Sequence, residues 1–152
     1  MKVTKIDSKG IDLITLFEGF EAKPYLCSAN VPTIGFGTTR YQNGHKVKLT
    51  DAPISRGTAI EHFKYDVAFF ELQVDAMAVD TITQNQFNAL VSFAYNLGAQ
   101  SLKGSTLLKK VNANPNDPTI AVEFLKWVNA GGRKVAGLVR RREAEANLYF
   151  AK

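Results

Sequence analysis

Glu18, Cys27 and Thr33 lie close together in the chain, in Phe17-Glu18-Gly19-Phe20, Tyr25-Leu26-Cys27 and Pro32-Thr33-Ile34-Gly35-Phe36-Gly37. A carboxyl, a thiol and a hydroxyl can between them give, hold and take protons, the equipment of acid–base hydrolysis. A first helix carrying Ile11, Leu13, Ile14 and Phe17 on one arc places Glu18 between Ile11 and Ile14 at about 100° per residue. A charge on an apolar arc is costly unless it is used. Partial desolvation and the negative end of the helix dipole, just before Gly19 as a C-cap, both favour the neutral acid. A protonated carboxyl near neutral pH is what a general acid requires. The alternative is a helix-end glutamate that snorkels to solvent or meets an arginine.

The pattern of glutamate, eight residues, Asp or Cys, five residues, then Thr running into Ile-Gly-x-Gly resembles the catalytic signature of phage-type lysozymes, glycoside hydrolase family 24. Further blocks match in order: Thr83-x-x-Gln86-Phe87-x-Ala89-Leu90-x-Ser92-Phe93-x-Tyr95-Asn96-x-Gly98, Gly104-Ser105-Thr106-Leu107-Leu108, Trp127-x-x-Ala130-Gly131-Gly132, and Gly137-Leu138-x-Arg140-Arg141. The resemblance implies hydrolysis of the β-1,4 bond between N-acetylmuramic acid and N-acetylglucosamine in peptidoglycan, for host cell lysis. It implies Glu18 as proton donor, Cys27 where many relatives have Asp, and Thr33 holding the attacking water. Thr39, Tyr95 and Thr106 match positions that line the sugar sites. The family often has His directly after Gly-x-Gly; here Thr38 stands there, so any role of that imidazole is absent.

A lone cysteine is ordinarily a small buried hydrophobe. The loop setting of Cys27, near Ser28 and Asn30, argues instead for partial exposure, and a nearby ionised Glu18 leaves only a minority thiolate unless Arg or amide dipoles assist. Base, nucleophile and water-orienting group all remain open for it. Tyr95 falls in a segment apolar nearly all round and is equally a core residue. The Arg140-Arg141-Arg142 run reads first as a solvated helix face. Functionally, Arg141 would approach Glu18, or the helix, with Leu138, Val139, Leu148, Tyr149 and Phe150 nearby, would press a cationic amphipathic surface on membranes.

The chain has 152 residues, 45% hydrophobic with ten Phe, a length that suits one domain burying about two-thirds of its unfolded surface. Its mean hydropathy of -0.11 and short apolar runs exclude a spanning segment. The polar N-terminus, Met1 to Gly10, has no signal-peptide pattern. The expectation is synthesis in the host cytoplasm, release through a lesion made by a separate holin, and action on the wall in the periplasm. One cysteine excludes an internal disulfide, and Cys27 with His45 and His62 meets no zinc spacing, so neither metal nor cofactor is expected. A net charge of +5 suits an anionic partner, the wall in this reading; no nucleic-acid motif is present, and a monomer is expected.

Asp7 or Ser8 caps the first helix, to about residue 17 or 18. Residues 31–49, with an Asn43-Gly44 turn, predict an antiparallel sheet of two or three strands. Ile60, Phe63, Val67, Phe70, Val74 and Met77 predict a long helix behind Ser55. Thr83 and Gln86 form a capping box before a buried helix over 87–97, closed by Gly98. A short helix over 105–111, a loop at 112–116, a helix from Asp117-Pro118 through Trp127, a break at Gly131-Gly132 and a last helix over 135–149 complete the chain. The fold class is α+β and lysozyme-like: one domain over 1–152, with a helix and small β lobe over about 1–53, a connecting helix over about 54–80, a larger helical lobe over about 81–152, and a cleft between the lobes. The competing functions are a lytic transglycosylase using the same glutamate, against which Thr33 argues, and a catalytically silent cationic module that binds wall or membrane.

Overall fold

The structure, a computed structural model, describes residues 2–152. Its elements run α1 (Ser8–Glu18), β1 (Glu21–Leu26), β2 (Pro32–Gly35), α2 (Arg56–Met77), α3 (Gln84–Leu97), α4 (Ala99–Lys103), α5 (Thr106–Ala113), α6 (Ile120–Leu125), β3 (Asn129–Ala130), β4 (Arg133–Lys134) and α7 (Ala136–Phe150). They fall into two compact units, residues 14–69 and a helical unit of residues 2–13 with 70–152.

In the smaller unit β1 and β2 pair antiparallel, with Tyr25 opposite Thr33, Leu26 opposite Pro32 and Glu21 opposite Gly35. Between Glu21 and Tyr25 the register slips, at a stretch containing Pro24, which has no N–H to give a ladder. Charged Glu21 and Lys23 and this proline kept β1 out of an apolar-alternation reading that starts at residue 31. Beyond β2 the chain makes only isolated bridges, Ile34 with Thr38 and Arg40 with Lys46. The predicted sheet is therefore two-stranded, and Asn43-Gly44 turns a loop rather than joining strands. Ile34, Phe36, Val47, Phe63 and Val67 are buried, with the Phe36 and Phe63 rings 6.4 Å apart, and the Arg56 guanidinium lies 5.1 Å from the Phe36 ring centre. A Cβ on Gly35, whose φ is +68°, would stand 3.1 Å from the Ala59 Cβ, so strand and α2 approach as closely as only glycine permits.

α2 starts where the sequence places it, with the Thr58 amide donating to Ser55 Oγ at 3.1 Å. In the helical unit the capping box is complete: the Gln86 amide donates to Thr83 Oγ1 at 3.2 Å and the Thr83 amide to Gln86 Oε1 at 2.9 Å. α3 then buries every residue from Asn85 to Ala94 and packs against α7. Phe93 meets Phe124 at 6.0 Å and Trp127 at 5.5 Å, and Phe124 meets Tyr149 at 5.7 Å. Offset and edge-on aromatic pairs of this kind add about 0.5–1.5 kcal/mol each beyond the area they bury.

Three local readings are corrected. α4 follows Gly98 at once, because Ala99, Gln100 and Leu102 resume the helical period after the break. α6 ends at Leu125 instead of Trp127, whose ring turns in against Phe93. Gly131-Gly132 does not merely break the chain; with φ of +59° and +77° it turns a tight hairpin between β3 and β4, a conformation glycine adopts without steric cost.

Candidate active site

Asp7 caps α1, its Oδ1 accepting from the Lys9 amide at 3.1 Å, and the helix carries Glu18 to its last position in half-buried surroundings. Gly19, with φ of +74°, ends the helix and turns the chain into β1. The strand delivers Tyr25 opposite Thr33, and two residues later Cys27 opens the loop to β2. That loop is closed by the Cys27 amide on the Val31 carbonyl at 3.1 Å and the Asn30 amide on the Cys27 carbonyl at 2.8 Å, with Asn30 in the left-handed region at φ 60°.

The loop answers how Cys27 is tuned. Its thiol is pulled below the ordinary value, first by the Val31 and Ala29 amides directed at it and then by the Thr33 hydroxyl, against a smaller opposing effect of desolvation. Amide dipoles thus outweigh the acidic neighbourhood that the sequence suggested would suppress the thiolate. Thr33, buried at 3% exposure, donates its hydroxyl proton to the Val31 carbonyl at 2.8 Å.

Tyr25 is the residue that sequence reasoning passed over. Its phenol is held above the ordinary value by burial first, and then by the negative fields of Glu21, Cys27 and Glu18. Those groups therefore lie within electrostatic reach of one ring, which makes Tyr25 the common neighbour of the acid and the thiol. The period-two step from Tyr25 to Cys27 was the available signal, masked because β1 was not recognised as a strand.

Thr38 is not idle either. Buried at 1% exposure, it donates to Asp66 Oδ2 on α2 at 2.7 Å, and Asp66 is held above the ordinary carboxylate value mainly by burial. A hydroxyl thus fastens the turn after β2 to α2.

The other sequence candidates stand as follows. Thr39 is exposed beyond the Thr38 turn, and its carbonyl accepts from the Val47 amide at 3.0 Å. Tyr95 on α3 is half-buried, its ring 5.2 Å from that of Phe70. Thr106 is exposed at the first residue of α5, after Ser105 as N-cap.

The arginine run is not a solvated face. Arg141 and Arg142 are 4% and 0% exposed, and only Arg140 is exposed. Arg141 Nε lies 3.4 Å from Glu145 Oε2 and its Nη2 donates to the Ser92 carbonyl at 3.3 Å. Arg142 donates to Asn96 Oδ1 at 2.6 Å, and its Nε lies 2.9 Å from Glu145 Oε1 without the alignment of a hydrogen bond. Ser92 Oγ donates to Glu145 Oε2 at 2.5 Å. A membrane-facing cationic surface through these side chains is thereby corrected, because two of its three charges are spent inside the helical unit. Among the described residues no group of three or more His, Cys, Asp or Glu is arranged to hold a metal, and no helix is long and apolar enough to cross a membrane.

A helix-borne carboxyl and a short β-hairpin carrying thiol and hydroxyl, in a chain otherwise built of helices, make a lysozyme-like α+β fold. The solved endolysin from Escherichia coli O157:H7 phage FAHEc1 superposes with a TM-score of 0.88 at 36% identity, covering 99% of this chain and 96% of that one. The endolysin of Bacillus phage B103 is 42% identical over 145 residues, 95% of this chain and 54% of its own length, so the chain spans about half of that relative. The endolysin of Acyrthosiphon pisum secondary endosymbiont phage 1 is 34% identical over 148 residues, 95% of this chain and 97% of its own length. The phage lysozyme family model matches residues 15–145, and the chain belongs to that family.

Proposed function

We propose that this chain is an endolysin with muramidase activity, hydrolysing the β-1,4 bond between N-acetylmuramic acid and N-acetylglucosamine in bacterial peptidoglycan. The observation that carries the reading is the gathering of Glu18, Cys27 and Thr33 about the β1–β2 hairpin, in the order and spacing of the family signature. Glu18 gives its proton to the glycosidic oxygen as the bond to the muramic carbon breaks. A water attacks that carbon. Its two protons need acceptors, and two stand ready: the Thr33 oxygen, whose own proton is engaged on Val31, and the Cys27 sulfur, whose anion the loop amides favour. Sulfur takes one proton as the new C–O bond forms, and that proton returns through solvent to Glu18, restoring both groups. The resemblance assigns Thr39, Tyr95 and Thr106 to sugar binding, and the reading of the arginine run gives Arg141 a supporting role toward the acid. Release by a holin, a monomeric state and action on the wall from the periplasm belong to the same reading.

Retention of Thr33 favours admission of water over the internal cyclisation of a transglycosylase. Mass spectrometry of digested sacculi checks this directly, with reducing muramic ends expected and anhydro ends overturning it. Glu18→Gln, purified and folded, is expected to lose at least about a hundredfold in rate, the usual share of a general acid. Near-normal clearing of walls by that variant removes Glu18 from its role.

A further inference from the structure

Two cavities of about 540 and 680 Å³ lie in the smaller unit and share Tyr41, Asn43 and Asp51 in their walls. Neither includes Glu18, Tyr25, Cys27 or Thr33. The ridge between them is fixed: Tyr41 donates its hydroxyl to Asp51 Oδ2 at 2.7 Å, and the same oxygen accepts from the Lys48 amide at 2.9 Å. Burial first, and then the bond to Asp51, pushes the Tyr41 phenol up to about 12, while the Lys48 amide and the Tyr41 hydroxyl hold Asp51 below the ordinary carboxylate range against a smaller effect of desolvation, so ridge and carboxylate keep their forms across the working pH span. The Tyr41 ring is also seated 5.3 Å from the His62 ring. A fixed aromatic ring beside a few convergent polar groups is the composition of a small-molecule site.

The two basins differ in charge. One adds Lys46 and Lys48, the other Glu61 and His62. Wall glycan alternates in the same sense, one sugar bearing an anionic lactyl-peptide stem and the next bearing only hydroxyl and acetamido groups. Lysines suit the first, and carboxylate and imidazole acceptors suit the hydroxyls of the second.

On the muramidase reading above, we propose that the paired basins astride Tyr41 form an accessory saccharide site that holds one disaccharide unit of wall glycan, the stem-bearing sugar over Lys46 and Lys48 and its neighbour over Glu61 and His62. The site retains the enzyme on the polymer by a second point of attachment and takes no part in bond cleavage.

The test titrates the isotope-labelled, intact protein with chitotriose, a neutral N-acetylglucosamine oligomer, and with a muramyl disaccharide-peptide, following amide signals. Shifts are expected at Asn43, Glu61 and His62, separately from those at Cys27 and Thr33. Tyr41→Leu is expected to erase the first set and keep the second, to leave the rate on a short soluble muropeptide unchanged, and to lower the rate on intact sacculi roughly tenfold. Tyr41→Phe, which keeps the ring, retains the shifts. Lys46→Glu, an exposed change that spares Tyr41, weakens the muramyl ligand and not chitotriose. Shifts confined to Cys27 and Thr33, or wild-type rates on sacculi for both Tyr41→Leu and Lys46→Glu, overturn the accessory site and leave the muramidase reading standing. Shifts at neither place overturn both.

Discussion

Cys27 and Thr33 share one acceptor: the Val31 carbonyl takes the Cys27 amide at 3.1 Å and the Thr33 hydroxyl at 2.8 Å. A single peptide group thus fixes the loop that presents the thiol and decides which way the hydroxyl points. The Ala29 and Val31 amides, with the Thr33 hydroxyl, are left to face sulfur. The Cys27 thiol and the Thr33 hydroxyl are thus oriented by the same short turn.

The lowered thiol makes Cys27 the most informative position to alter. Alkylation by iodoacetamide is expected to follow a titration midpoint below the ordinary value of 9.0. Bound oligosaccharide is expected to slow it. Cys27→Asp is expected to fold and keep substantial activity, since a carboxylate accepts the same amide bonds and is ionised at neutral pH, whereas Cys27→Ala falls by about a hundredfold or more. An active Ala variant beside a misfolded Asp variant, read by cleavage rate and melting temperature, would show the sulfur to be mere packing.

Asp66 supplies a prediction of opposite pH sense. Its carboxyl is raised in the folded protein, so the stability it contributes is full below the ordinary value of 3.8 and is lost as pH rises through the higher folded value. Asp66→Asn, whose amide oxygen still accepts from Thr38, is expected to flatten that dependence and to stabilise the protein at pH 7 by on the order of 1 kcal/mol. Chemical denaturation at several pH values between 3 and 7 reads it; a variant less stable than wild type at pH 7 counts against burial as the dominant effect.

Glu145 sits at 0% exposure among Arg141, Arg142 and Ser92. Removing one partner strands the others, so Arg142→Leu is expected to cost about 3–5 kcal/mol in unfolding free energy despite the gain of an apolar side chain. Glu145→Gln, which keeps an oxygen for Ser92, is expected to cost less. Equal losses for the two would locate the energy in packing instead of charge.

With Arg141 and Arg142 enclosed, the attraction of this +5 protein for an anionic wall must come from exposed cations such as Arg140, Lys103, Lys109 and Lys134. The rate on sacculi is expected to fall between about 10 and 300 mM salt, and Arg140→Gln to reduce that slope without altering cleavage of a soluble uncharged oligomer. A salt-independent rate on sacculi would set charge steering aside.

Much of this architecture is readable in the sequence because local signals agree with it. Thr83 with Gln86, Ser55 before α2 and Asp7 before α1 are caps whose chemistry is complete within four residues. The spacing of Glu18, Cys27 and Thr33 is likewise local. What escapes is set by distant neighbours. β1 pairs through a register slip that charged residues and Pro24 disguise, and Asp66 becomes Thr38's partner only across 28 positions of chain. The burial of Arg141 and Arg142 depends on Ser92 and Asn96 in a helix some fifty residues away, which no period or charge count discloses.

The opening segment of the chain carries a consequence for the order of assembly. Ile6 donates its amide to Glu71, Asp7 accepts from the Asn88 side chain at 2.7 Å, and the Lys5 carbonyl accepts from Gln84, contacts separated by 65 to 81 residues. The β1–β2 ladder itself lies within residues 21–35 and closes a loop short enough for microsecond formation. In a chain growing from its N-terminal side, residues 5–7 emerge before α2 and α3 exist to pair with them, while the hairpin bearing Cys27 and Thr33 is already free to form. The β1–β2 hairpin belongs to the short-range stage of folding, and the helical unit is completed only when residues 5–7 are clasped by helices made afterwards.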